Sequence, residues 1–287
     1  MAPAISSSQS EKFVSETDAR KVAPTAGANP ASSQAEPTRR EGVLPVIVVV
    51  IGLIIAIQIA SFYLPPFVMP APLTILYATI DILRTDYMHI GVTALRLLVA
   101  ILFAMVLGIF LGIVMGVFPK IRPYIRSLVI IDTGIPALSW MLLAIFWFPQ
   151  PEVRIFFIMS VILIPFYALS IFDGIRALPR DWVDMIESFR PRRWQVLRYL
   201  ILPHIVPYIL STTKSVIGYA VRMVIFSELI ASTLGIGSRM SLAQSMFRID
   251  TVLGWTVILI VLNLLLQTAL TALEKQLLKW RAEASVR

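Results

Sequence analysis

The chain contains no cysteine, which removes disulfides, thiolate nucleophiles and cysteine metal sites from consideration. Its two histidines, His89 and His204, lie far apart in the sequence. The span placement below sets them near opposite membrane faces, so a shared metal site is not expected. No Walker-type glycine–lysine pattern occurs, and Gly235-Ile236-Gly237 does not make one. Hydrolysis of ATP by this chain is therefore not expected. Charge is scarce too. Of 287 residues 15% are charged and 57% hydrophobic, whereas soluble domains average about 25% and roughly 45–50%. That balance excludes an ordinary water-soluble domain. The net charge of +8 is no nucleic-acid footprint, because the basic residues cluster in short stretches between apolar runs. No nucleic-acid partner is expected.

What is present is a series of apolar runs, each close to the about 20 residues a helix needs to cross the hydrocarbon core. They predict an all-α, polytopic membrane protein with six transmembrane helices. The spans are placed at about 43–63, 91–117, 124–148, 152–173, 204–229 and 251–273. Residues 64–88 carry Pro65, Pro66, Pro70 and Pro72 before a short amphipathic stretch and are too polar and broken to span. Residues 1–42 are rich in Ser, Ala, Pro, Glu and Thr and read as a disordered cytoplasmic tail. No apolar core follows a short basic start, so the first span is expected to be retained as an anchor. Residues 43–287 then form the transmembrane domain, with a charged loop at about 176–203.

Basic residues set the orientation. Arg39 and Arg40 precede the first span, and Lys120, Arg122 and Arg126 follow the second. An arginine-rich island follows the fourth, and Lys275, Lys279 and Arg281 follow the sixth. With six spans all four clusters fall on one side, which places both termini in the cytoplasm.

Within the second span Ala100, Ala104, Gly108, Gly112 and Gly116 recur every fourth residue. Such a smooth stripe admits another helix closely, either within the chain or from a second subunit. Lys214, Arg222 and Glu228 lie in or near the fifth span, where ionisable groups are costly. Lys214 and Glu228 fall near its two ends. Arg222 falls nearer the middle, where it meets either an anionic substrate or an acidic partner on another helix. Pro136 frees backbone groups in the third span. Thr133, Ser139 and Trp140 beside it either line a pathway or pack against neighbouring helices.

The island between the fourth and fifth spans departs most from the rest. Trp182, Met185, Ile186 and Phe189 follow i, i+3, i+4, i+7 spacing and make one apolar stripe. Asp181, Asp184 and Glu187 lie off that stripe. Pro191 ends the helix and disfavours the α conformation at Arg190. A second short helix is expected from Trp194 to Pro203. Anionic lipid suits Arg192 and Arg193 but repels the three acids. A protein groove accommodates both sets.

Asp184-Met185-Ile186-Glu187-Ser188-Phe189, followed by Ile201-Leu202-Pro203 and Pro207, resembles the EAA loop of ABC importer permeases. Met69-Pro70-Ala71-Pro72, Thr93-Ala94-Leu95-Arg96, Gly134 to Trp140 with Ile145 to Phe148, and Ser227 to Gly237 are similar to further motifs of the nitrate/sulfonate/taurine/bicarbonate branch. The resemblance covers roughly 65–280. It implies a type I ABC importer permease-like fold and a coupling role for Trp182, Asp184, Met185, Ile186, Glu187, Phe189, Arg190, Pro191 and Pro203. It also implies a cytoplasmic ABC ATPase dimer that uses ATP and Mg, a second permease subunit (the same chain or a relative), and an extracytoplasmic solute-binding protein. No cofactor is expected on this chain, and the setting is the bilayer of a bacterial inner membrane. The implied cargo is a small anion, for which Thr133, Ser139 and Trp140 of the third span and Arg222 and Glu228 of the fifth are the candidate pathway residues. The loop departs from the family's pattern: Asp184 stands for its glutamate, Met185 and Ile186 for its alanines, and Arg190 for its glycine. Pro191 is expected to make the turn instead. An ATP-independent channel or ion-coupled carrier is the alternative. A membrane enzyme lacks a visible nucleophile–base set.

Overall fold

The computed structural model describes residues 43–277. The tail expected at 1–42 lies outside them, as do Lys279 and Arg281. The chain divides into two units, Met1–Val49 and Val50–Arg287, and the boundary falls inside the first helix. In the first unit the described residues are helical, and 44–49 are exposed.

Helix α1 is Val43–Tyr63, followed by α2 Pro72–Thr85, α3 Tyr87–Val117, α4 Arg122–Gly134, α5 Ala137–Trp147 and α6 Pro151–Arg176. Then come α7 Arg180–Ser188, α8 Arg193–Val196, a π-helical turn Leu197–Ile201, α9 Leu202–Ala231, α10 Ile236–Ser245 and α11 Ile249–Leu277. Proline opens α2, α4 and α6, where its missing N–H costs no helical bond.

Helices α3 and α6 are parallel. Gly108 of α3 lies against Tyr167, Gly112 against Ile171 and Gly116 against Ile175, so the two chains advance together. A Cβ on Gly112 would fall 2.7 Å from the Ile171 Cβ. The small-residue stripe therefore serves packing within the chain. Helix α9 runs back the other way: Gly174 meets Tyr208, and the Tyr167 hydroxyl donates to Thr213 at 3.1 Å. Leu97, Ile158, Leu163, Ala220 and Val224 fill the space between α3, α6 and α9. Trp255 of α11 packs on Ile82 of α2 and Ile236 of α10.

Among the described residues five helical stretches are long and apolar enough to cross a membrane, and α4 with α5 makes a sixth only as a pair bent by 95°. The parallel arrangement of α3 and α6 settles the pair's course. A chain that leaves α3 at Val117 and enters α6 at Pro151 must return the length of the bundle. The third span is thus a broken crossing, not the single helix expected over 124–148. Pro136 cannot donate to the helix, and it drives Ile135 to an extended φ of −84° and ψ of 125°.

The fifth span also differs from expectation. No separate helix ends at Pro203. Residues 193–231 form one helical stretch, loosened by the π turn just before that proline. Pro203 lacks an N–H, and the register of the preceding turn shifts by one residue around it.

Candidate functional site

The island forms α7, opened by an extended Pro179. Trp182, Met185 and Phe189 stand exposed along one edge, Phe189 at 80%, while Ile186 is half-buried. Asp184 and Glu187 are exposed beside them. The Trp182 ring meets His204 edge-on at 6.0 Å, and His204 in turn stacks on Tyr208, which fixes α7 against the start of α9. At the C-terminus of α7 the Arg190 N–H donates to the Glu187 carbonyl at 2.9 Å. Arg190 has φ +48°, the left-handed conformation that glycine adopts without cost. The turn is therefore made by Arg190 itself, in glycine's geometry, and Pro191 only blocks continuation of the helix. Beyond it the Arg192 N–H donates to Gln195 Oε1 at 2.7 Å and opens α8.

At the opposite end of the bundle two sequence motifs meet. Glu228 of α9 is fully buried and accepts from Thr93 Oγ1 at 2.8 Å, Arg96 at 2.8 Å and the Gly237 N–H at 2.9 Å. The Thr93 oxygen accepts from the Ile236 N–H at 2.9 Å. Arg96 continues to both oxygens of Glu152 and to the Leu234 carbonyl. Gly235 has φ +110°, and a Cβ there would collide with the Glu228 carboxylate. Arg239 pairs with Asp86 at 3.0 Å, and the His89 ring sits between Arg239 and the Gly235 amide. A neutral imidazole has one lone pair, so it accepts from one of these two donors at a time. Arg154 donates to the carbonyls of Phe148, Pro149 and Ala231. Together these bonds hold the 232–237 turn on the ends of α3 and α6.

The third assembly surrounds the break in the crossing pair. A recess of about 100 Å³ is lined by Asp132 and Thr133 of α4, Trp140 of α5, Phe166 of α6 and Tyr219 of α9. Ser139 is half-buried and does not line it. Arg222 lies three residues beyond Tyr219, exposed, with Nε donating to the Gly218 carbonyl at 3.2 Å. Among the described residues it forms no salt bridge. Glu228 is not in this group: it belongs to the buried network and pairs with Arg96 of α3, not with Arg222. Asp132 and Tyr219 were absent from the sequence-based candidates, although an acid inside an expected span is itself a signal. Among the described residues no group of three or more His, Cys, Asp or Glu could hold a metal.

Known proteins agree with this architecture. The binding-protein-dependent transport system inner membrane component family matches residues 104–279. The taurine transport system permease protein TauC of Escherichia coli (strain K12) is 26% identical over 250 residues, 84% of this chain and 89% of that protein. The putative aliphatic sulfonates transport permease protein SsuC of the same organism is 27% identical, over 80% of this chain and 89% of its own. A chain from an inward-facing structure of the MetNI methionine ABC transporter superposes with a TM-score of 0.57 at 16% identity, covering 67% of this chain and 96% of that one. This likeness is one of fold. With more than half of its residues matched by the family, the chain belongs to the binding-protein-dependent transport system inner membrane components, the multi-pass permease subunits of ABC transporters.

Proposed function

We propose that this chain is the pathway-forming subunit of an ATP-driven importer for a small sulfonate-like anion, with both termini in the cytoplasm of a bacterial cell. Two permease subunits enclose the pathway. Two cytoplasmic ATPases, which hold and hydrolyse ATP with Mg, dock on α7. A solute-binding protein delivers cargo at the opposite face, near 64–88 and 231–250. The uncovered apolar edge of α7 carries this reading: Trp182, Met185 and Phe189 are exposed beside Asp184 and Glu187. A lipid surface favours the apolar edge but not the acids, whereas a groove on a protein takes both.

In this scheme closure of the ATPase pair pushes α7. The motion passes through the Trp182–His204 contact into α9, which carries Arg222. The bonded 232–237 turn at the outer end gives the binding protein a fixed platform. Thr133, Trp140 and Arg222 face the pathway, Ser139 borders it, and Glu228 shapes its outer end by holding the turn. The names of the taurine and sulfonate relatives support an anionic cargo, and Arg222 supplies a cation for it.

The test is co-purification. Asp184→Lys with Phe189→Lys should abolish recovery of the ATPase with the permease and abolish ATP-dependent uptake. Undiminished association and transport would refute the docking role.

A further inference from the structure

Resting on that permease reading, we propose that the recess at the break between α4 and α5 binds the ammonium group of a solute whose other end is anionic, so that the transported molecule is a zwitterion. A discontinuous crossing segment near mid-membrane exposes backbone and side-chain groups that a straight helix would conceal, and substrate sites form at such breaks. Here the break puts one carboxylate, Asp132, into the last turn of α4. No arginine, lysine or histidine among the described residues forms a salt bridge with it. A carboxylate at that depth is costly unless something cationic meets it.

The walls suit a cation. Trp140, Phe166 and Tyr219 present aromatic surface to the same recess, and the Phe166 and Tyr219 rings lie 5.3 Å apart. Aromatic faces attract ammonium groups, most strongly where water is excluded. The recess holds about 100 Å³, room for an ammonium or small alkylammonium headgroup, and Asp132 and Trp140 also line an adjoining apolar cavity of about 380 Å³.

The rest of the solute has its own partners. Tyr219 and Arg222 are three apart on α9, so their side chains neighbour each other on the helix surface. Arg222 spends Nε on the Gly218 carbonyl, and its two terminal nitrogens bond no described residue. The Trp140 indole N–H, buried at the recess, is directed at the Asp132 carboxylate without closing a well-formed bond. The Arg222 terminal nitrogens are the donors for an anionic group. A plain anion at this site meets Asp132 unfavourably, and a plain cation meets Arg222 unfavourably. A molecule carrying both charges satisfies both.

The experiment uses the assembled permease–ATPase complex in nanodiscs, with tryptophan fluorescence as the readout and Trp140→Phe to identify the responding ring. The probes are 2-aminoethanesulfonate, ethanesulfonate and methylammonium. We expect saturable responses to the aminosulfonate and to methylammonium. Asp132→Asn should raise both half-saturation concentrations by about tenfold or more, and should not weaken the response to ethanesulfonate. Arg222→Gln should weaken the response to the aminosulfonate and spare methylammonium. An aminosulfonate titration unchanged by Asp132→Asn overturns the inference, as does a flat response to every probe. A size-exclusion profile of the intact complex, together with recovery in Asp132→Glu, separates loss of binding from loss of fold. ATP-dependent uptake in proteoliposomes with the binding protein is measured in parallel. If uptake proceeds without discrimination by Asp132, the permease reading stands and the zwitterion site fails. If neither sulfonate is taken up with ATP, both fail.

Discussion

Arg96 of α3 donates to Glu228 of α9 at 2.8 Å, across 132 residues of sequence, with side-chain exposures of 8% and 0%. Removing one member of a buried ion pair costs about 3–5 kcal/mol, because the other charge is left without compensation. Arg96→Met strands Glu228, whose remaining partners are the Thr93 hydroxyl and the Gly237 amide. It should therefore cause the larger loss of thermal stability in the purified permease. Glu228→Gln is expected to cost less, because Arg96 keeps Glu152. Glu152 is 61% exposed, so Glu152→Gln should cost about 1 kcal/mol or less. A melting series in detergent gives the order, and equal losses for Arg96→Met and Glu152→Gln would contradict it.

The α3–α6 contact makes a steric prediction. A methyl on Gly112 would press on the Ile171 side chain and on the Ala168 carbonyl, so Gly112→Leu should separate the helices and cost about 1–3 kcal/mol or more. Gly91, on the same helix, has nothing within 4 Å of its Cβ direction. Gly91→Ala should raise stability by up to about 1 kcal/mol through helix propensity. Opposite signs for the two substitutions, read from melting temperatures, are the expected outcome.

Arg190 supplies a backbone test. A non-glycine residue held in the left-handed region costs about 1–2 kcal/mol. Arg190→Gly should recover part of this, while Arg190→Val should lose more. Arg190→Lys keeps both the charge and the strain, and its stability should match that of the parent. If Arg190→Gly lowers the melting temperature, the positive φ is not a source of strain.

How far these features are visible in the sequence depends on the range of the interactions that produce them. The crossings are local: about 20 apolar residues suffice to mark a span, and α1, α3, α6 and α11 fall where the runs place them. The edge of α7 is local too, written in the spacing of Trp182, Met185 and Phe189. Pro136 marks a disturbance in the third span. A proline alone does not choose between a kink and a 95° break, because the outcome depends on what packs around it. Arg-Pro shows that Arg190 avoids the right-handed helix. It does not separate extended from left-handed backbone, which is settled by where α8 must begin. The Glu228–Arg96 pair and the Asp132–Tyr219 recess join residues of different helices, so only the packing of those helices reveals them.

The docking of α7 on an ATPase is tested most directly by site-specific labelling, because the chain has no cysteine to remove first. Phe189→Cys places one thiol on the exposed edge of α7, and Thr233→Cys places one in the exposed turn at the other end of the bundle. A membrane-impermeant maleimide is applied to inside-out vesicles stripped of peripheral proteins, with and without added ATPase. The predicted result is strong labelling of Phe189→Cys that falls sharply when the ATPase is restored, and no labelling of Thr233→Cys in either case. Equal labelling of Phe189→Cys with and without the ATPase, or access to it only from the opposite face, would contradict the assignment of α7 as the coupling helix.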